Sequence, residues 1–193
     1  MSPHLSADTS ADPSADTSAD TSADQQALDT YRRRIEAASI AGLILQPAAI
    51  DHVRGWLEPT DFATPHYGDW YTRLLHMRDR GDPIDQMTLL TALRRTNQLG
   101  PHGQHADELA TITMAAPVPA STISYCRDVL EESIRDQVAA AGLRLAQLAR
   151  TSGLDLNATL SQATDMLQHD LLQATVRHSH AAHHTEGVAL PGM

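Results

Sequence analysis

The sequence contains no lysine, and all 14 of its basic residues are arginine. That absence excludes a Walker-type phosphate loop, which needs a lysine ammonium on the β- and γ-phosphates, and it excludes Schiff-base chemistry, which needs a lysine amine. There is one cysteine, Cys126, so no intramolecular disulfide forms, in keeping with a reducing cytoplasm. Cys126 falls within a helical apolar stripe and reads as a small buried hydrophobe. Aromatic residues make up only 4% of the chain, while alanine and leucine are frequent, the apolar content that packs helices rather than sheets. No run reaches the ~18 apolar residues of a membrane span, and no basic segment leads into an apolar one at the N-terminus, so neither a membrane span nor a signal peptide is expected. Formal net charge is -10. An acidic chain lacks the broad positive surface that supplies non-specific nucleic-acid affinity, which makes direct DNA binding doubtful.

What is present is an all-α pattern in four parts, within a length suited to one ordinary domain or to a small domain with an appendage. Residues 6–24 repeat Ser-Ala-Asp five times. Small residues with one acid per repeat bury too little surface to offset the entropy of ordering, so residues 1–28 are expected to be a disordered acidic tail. Residues 29–118 then read as a helical head. Tyr31, Ile35, Ala38 and Gly42 recur at helical spacing, and Pro47 opens a second helix with Ile50, Val53 and Leu57 on one face. Thr64-Pro65 is a cap and a first-turn proline for a third helix bearing Tyr67, Trp70, Tyr71, Leu74, Leu75 and Met77. That helix stops in DRGDPID: Arg78 and Arg80 suit the negative end of its dipole, Gly81 the left-handed position beyond it, and Pro83 prevents continuation. Asp85 is an N-cap for a fourth helix carrying Met87, Leu89, Leu90 and Leu93. A short helix with Leu109 and Ile112 ends at Pro117 and Pro119.

Beyond Pro119, Ile123, Cys126, Leu130, Ile134, Val138, Ala141, Leu145 and Leu148 step by threes and fours, a helix on the order of 45 Å long. Thr151-Ser152-Gly153 breaks it, and Leu156, Leu160, Ala163, Leu167, Leu171 and Ala174 form the seam of a returning helix. Residues 119–174 are therefore expected to be an antiparallel hairpin. Its face of Ile123, Leu130, Ile134, Val138, Leu145, Leu148, Leu160 and Leu167 would serve as a homodimer interface. Residues 175–193 lose the pattern and are expected to form a flexible tail containing histidines.

No catalytic, cofactor or metal site is expected. His178, His180, His183 and His184 have spacings that would converge on a metal only if the tail were helical, and no cysteine accompanies them. His66, His76, His102 and His105 read as surface or loop residues. The acids Asp79, Asp82 and Asp85, and the pair Glu131 and Glu132, lie on turns or a solvated helix back rather than in the desolvated setting that general acid/base work needs. Arg80-Gly81-Asp82 is a helix terminator, not an adhesion signal. Glu131 and Arg135 are placed for an exposed i,i+4 pair. The only cationic run, Arg32 to Arg34, reads as a helix-start surface, with contact to phosphate or a partner's acids as its alternative.

The segments EAASIAGLILQPAAIDHV, LEPTDF, RGDPIDQMTLLTALRR, PVPAS and YCRDVLEESIRD, in this order and at these distances, resemble the N-terminal domain of bacterial replicative DNA helicases of the DnaB type, from about Glu36 to Leu172. The Arg80, Gly81, Pro83, Ile84 and Asp85 turn is the most distinctive of them. The resemblance implies a helical head and a hairpin that pairs with a second copy, higher oligomers being open to it, and contacts with primase or the helicase collar. The family's motor domain, with its Walker lysine, is expected to be missing, because the sequence runs out about twenty residues past the hairpin. The leading expectation is thus a non-enzymatic, cytoplasmic interaction module linked to DNA replication. The alternative is a small helical DNA-binding regulator using the region of Asp79 to Arg95 as a helix-turn-helix.

Overall fold

A computed structural model describes residues 14–115, 121–150 and 156–186, and among them there is no β-strand. Seven α-helices follow one another: α1 (Ser14–Leu45), α2 (Ala49–Val53), α3 (Pro65–Arg80), α4 (Gln86–Arg95), α5 (Ala106–Met114), α6 (Thr122–Arg150) and α7 (Leu156–Glu186). Single 3₁₀ turns at Pro59–Asp61 and Pro101–Gly103 precede α3 and α5. The chain divides into two units, residues 1–31 and residues 32–193. In the first, helix runs back to Ser14, where composition predicts an unfolded arm through residue 28. Extending an existing helix needs no new nucleus, and each repeat supplies an alanine. Every described side chain from Ala23 to Tyr31 is nevertheless exposed, so this stretch is supported by its own backbone and by local bonds such as Gln25 Nε2 to Asp29 Oδ1 at 3.1 Å.

The core of the second unit is the aromatic cluster predicted on α3, with Tyr67, Trp70, Tyr71 and Leu74 essentially inaccessible to solvent. Ile40 and Leu43 from α1, Ile50 from α2, Leu89 and Leu93 from α4 and Leu109 from α5 close around it. Cys126, Val129 and Leu130 from the first turns of α6 complete it. Helix α1 lies so close to α6 that a Cβ at Gly42 would collide with the side chain of Thr122, which explains a glycine within a helix interior. The start of α3 is held differently from the prediction. Thr64 makes no side-chain cap. Instead the buried Glu36 of α1 accepts from the backbone N–H of Ala63 at 2.6 Å and of Thr64 at 3.2 Å, capping α3 from another helix.

The hairpin is formed by α6 and α7, which pack along each other. Their connection, Thr151-Ser152-Gly153, lies outside the described residues, as do Pro117 and Pro119. Helix α7 does not stop near Ala174, where the sequence pattern ends, but continues to Glu186. Ala174 and Ala181 are buried, and Ala181 belongs to the head's core cluster. Arg177 between them donates from Nε to the Trp56 carbonyl at 3.2 Å and pairs with Asp61. The expected flexible tail is therefore, through residue 186, a helix docked on the head by two alanines and an arginine.

Candidate functional site

The turn between α3 and α4 is built as its residue types dictate. Gly81 has φ 68° and ψ 22°, the left-handed conformation. Its N–H donates to Arg78 O at 3.1 Å, and Asp82 N–H reaches back to Met77 O at 2.9 Å, which satisfies the last carbonyls of α3. Asp85 Oδ1 accepts from Met87 N at 2.8 Å and Thr88 N at 2.9 Å, while Thr88 Oγ1 accepts from Asp85 N at 3.0 Å, a reciprocal capping box. Ile84 packs against the core and Pro83 lines a shallow groove of about 390 Å³ with Met77, Arg80, Met87 and Thr91. Met87 is exposed there.

The charges around this turn are already matched within the chain. Arg78 pairs with Asp51, Arg80 with Asp82, and Arg54 with Asp79 at 2.8 Å. The Arg78 guanidinium, hydrogen-bonded to Asp51, holds that carboxyl below the usual range. A helix-turn-helix surface would present free cations to phosphate, and here only Arg94 and Arg95, both exposed, are placed to do so. Arg32, from the cationic run, is engaged as well. It meets Glu132 Oε2 at 3.1 Å and Asp136 Oδ1 at 2.6 Å on α6. Arg135 lies 3.9 Å from Glu131 in the predicted i,i+4 pair and pairs more closely with Glu132.

The hairpin residues fall into two groups. Leu130 is fully buried in the head core, and Ile123 and Ile134 are half-buried against it, so this end of α6 belongs to the chain's own fold rather than to a free face. Heptad-like spacing alone does not distinguish a stripe that docks on its own head from one that meets a partner. Further along, Val138 is 48% exposed and Leu143 67%, with Leu145 and Leu148 half-buried. On α7, Leu160 is 56% exposed, Leu172 63% and Val176 52%. The side chain of Leu167 lies outside the described residues. Leu143, Leu172 and Val176 were not among the predicted interface positions, because they fall off the three-four seam. No helix among the described residues is long and apolar enough to cross a membrane.

Cys126 is wholly buried, and burial pushes its thiol up to about 12, the state of an inert core residue. His178 and His180 are exposed on α7, and the side chains of His183 and His184 lie outside the described residues. Two histidines that read as surface residues do meet. His66 on α3 and His105 before α5 stack with ring centroids 4.1 Å apart. Glu108 on α5 lies between their nitrogens, 3.0 Å from His66 Nε2 and 3.1 Å from His105 Nδ1. Only the His-x-x-Glu spacing of 105–108 hinted at this in the sequence, since His66 arrives from a distant helix.

Residues 29–131, more than half of the chain, match the family model of the DnaB-like helicase N-terminal domain. The chain is 27% identical over 113 residues to the replicative DNA helicase DnaB of Leifsonia xyli, covering 58% of this chain and 24% of that one. It is 29% identical over 128 residues to the replicative DNA helicase DnaC of Bacillus subtilis, covering 66% and 28%. It thus spans about a quarter of the length of these relatives. Among solved structures, the N-terminal domain of the DnaB helicase from Mycobacterium tuberculosis aligns with a TM-score of 0.62 at 25% identity, over 69% of this chain and 94% of that one. The corresponding domain from Helicobacter pylori, described together with its interactions with primase, shares the fold, with a TM-score of 0.53 at 21% identity over 63% and 94%. With the helical head, the motif turn and the α6–α7 hairpin in the order the sequence announced, the chain belongs to the DnaB-like helicase N-terminal domain family.

Proposed function

We propose that this chain is a non-enzymatic interaction module of DNA replication, which pairs with a second copy through its hairpin and contacts primase or a replicative helicase. The observation that supports this best is the set of large apolar side chains exposed on paired helices, Val138 and Leu143 on α6 and Leu160, Leu172 and Val176 on α7. Large aliphatics left exposed along two paired long helices favour burial against another helical surface. Family membership supplies the context, and the interactions of the Helicobacter domain with primase make primase the first partner to test.

Light scattering on the eluting protein at micromolar concentration is expected to give about twice 20.9 kDa, and a stable monomer would remove the paired arrangement. Pull-downs against purified primase and purified replicative helicase, run separately, are expected to retain at least one of them. Retention of neither would remove the replication role. The DNA-binding alternative has little support in charge, since the arginines beside the turn are held by carboxylates.

A further inference from the structure

The His66, His105 and Glu108 group stands apart from the motif turn and the hairpin, and nothing in the interaction role calls for it. All three ligating atoms lie within 4.8 Å of one another, and all three residues are half-buried. The two imidazoles share a single carboxylate oxygen, Glu108 Oε2, while Oε1 accepts from the Tyr67 hydroxyl at 2.7 Å. His66 Nε2 is buried and has no aligned hydrogen bond; the Glu108 oxygen is within ion-pair range but off its N–H direction. A buried imidazole nitrogen that lies beside a carboxylate, on a ring stacked against a second imidazole, and makes no aligned hydrogen bond of its own is a candidate metal ligand.

We propose that His66, His105 and Glu108 form a binding site for a divalent transition-metal ion, zinc fitting best, that ties the start of α3 to the start of α5. Two imidazoles and one carboxylate are a donor set typical of zinc sites that leave the fourth position to solvent. Calcium and magnesium prefer all-oxygen shells, and copper(I) prefers sulfur. A tetrahedral ion with bonds of ~2.0–2.1 Å holds its ligand atoms roughly 3.3 Å apart. The observed 3.0 and 3.1 Å separations are close to that value. The stacked rings then splay so that both lone pairs converge on the ion. The surroundings favour it. Burial pushes His66 toward the neutral form that ligates metals. For Glu108, burial is outweighed by the Tyr67 hydrogen bond and the two histidines, which hold the carboxyl below its usual range. Tyr67 fixes the orientation of the carboxylate, the supporting role that outer partners of metal ligands take. Glu36, bonded to the N–H groups of Ala63 and Thr64 just ahead of α3, places a carboxylate near the positive end of that helix dipole, which would otherwise repel a cation.

The test is titration of the full chain with zinc by calorimetry, and with cobalt(II) followed by visible absorption. The histidines of α7 compete, so two variant sets are compared. One replaces His178, His180, His183 and His184 with alanine; the other adds His105→Ala or Glu108→Gln to that same background, the second keeping the shape of the side chain. The expected result is one zinc per chain in the α7 variant, with a cobalt spectrum of tetrahedral type. The His105→Ala and Glu108→Gln variants are expected to lose that site or weaken it by at least about tenfold, and Tyr67→Phe to weaken it by about tenfold. Circular dichroism of each variant separates lost binding from lost folding. If all zinc binding disappears with the α7 histidines, or if Glu108→Gln in that background folds and binds zinc as tightly as the α7 variant alone, the proposal is overturned.

Discussion

The oxygen that Asp85 offers to two backbone N–H groups is the kind of contact whose removal has a known scale. Replacing an aspartate cap by alanine costs about 1 kcal/mol, with a range of roughly 0.5–2. The Asp85→Ala variant is expected to show that loss in equilibrium urea denaturation, while Asp85→Ser, which keeps an acceptor, retains most of the stability. Cys126 gives a prediction of different character. Its thiol is wholly buried and pushed up to about 12, whereas in the unfolded chain it titrates near 8.5. Between those values the unfolded chain has released a proton that the folded chain keeps. The unfolded state then binds fewer protons, and stability falls as pH rises through that window. The expected loss between pH 8 and pH 10 is roughly 1–2 kcal/mol, and Cys126→Ala should flatten that slope. Above about pH 10, Tyr71, raised by the same burial, adds to the decline. Thiol reagents should modify Cys126 only as fast as the protein unfolds.

Helix α7 is the element whose extent was least legible beforehand. Hydrophobic periodicity located α3, the motif turn, α4 and both hairpin helices, because each carries large apolar residues at three-four spacing or a complete set of stop and start residues. Beyond Ala174 the docking face is made of Ala174, Arg177 and Ala181 among histidines, and no hydrophobic pattern marks it. The trans cap from Glu36 and the meeting of His66 with His105 and Glu108 were hidden for a related reason: each joins residues from separate helices, and sequence spacing carries only neighbours on one helix. The anchor of α7 is itself testable. Asp61 has a completely buried side chain and accepts from Ser133 Oγ at 2.8 Å and Glu58 N at 2.7 Å, with Arg177 as its charged partner. Removing the guanidinium leaves a buried carboxylate with two hydrogen bonds and no charged partner, which typically costs about 3–5 kcal/mol. Arg177→Met is expected to destabilise the chain on that scale and to open α7 to limited proteolysis. Adding Asp61→Asn should recover part of the loss, because the second change removes the unpaired charge. Equal damage from the single and double variants would mean that α7 is held chiefly by its alanines.

At the scale of the whole molecule, charge and exposed apolar surface point to different partners. A chain at -10 with no lysine repels phosphate backbones at long range, so association must come from short-range burial. The exposed aliphatics of α6 and α7 provide such surface. Burying a large aliphatic side chain fully contributes about 1.5–3 kcal/mol, and one that is already half covered contributes about half of that, near 1 kcal/mol. Val138 and Leu160, 48% and 56% exposed, lie outside the core cluster, so changing them should leave the head intact. In a symmetric pair each substitution counts twice. If the proposed pair buries both residues, the double variant Val138→Asp with Leu160→Asp removes roughly 4 kcal/mol of apolar burial from it, and the four added charges oppose it further. That corresponds to about a thousandfold rise in the dissociation constant. A dimer stable at micromolar concentration would become a monomer in light scattering, with an unchanged helical circular dichroism spectrum. A variant that remained at twice the monomer mass would shift the contact to the other exposed residues, Leu143, Leu172 and Val176. The same substitution at those three positions would then be required to separate the copies, and a dimer that survived both sets would be paired through some surface other than the hairpin.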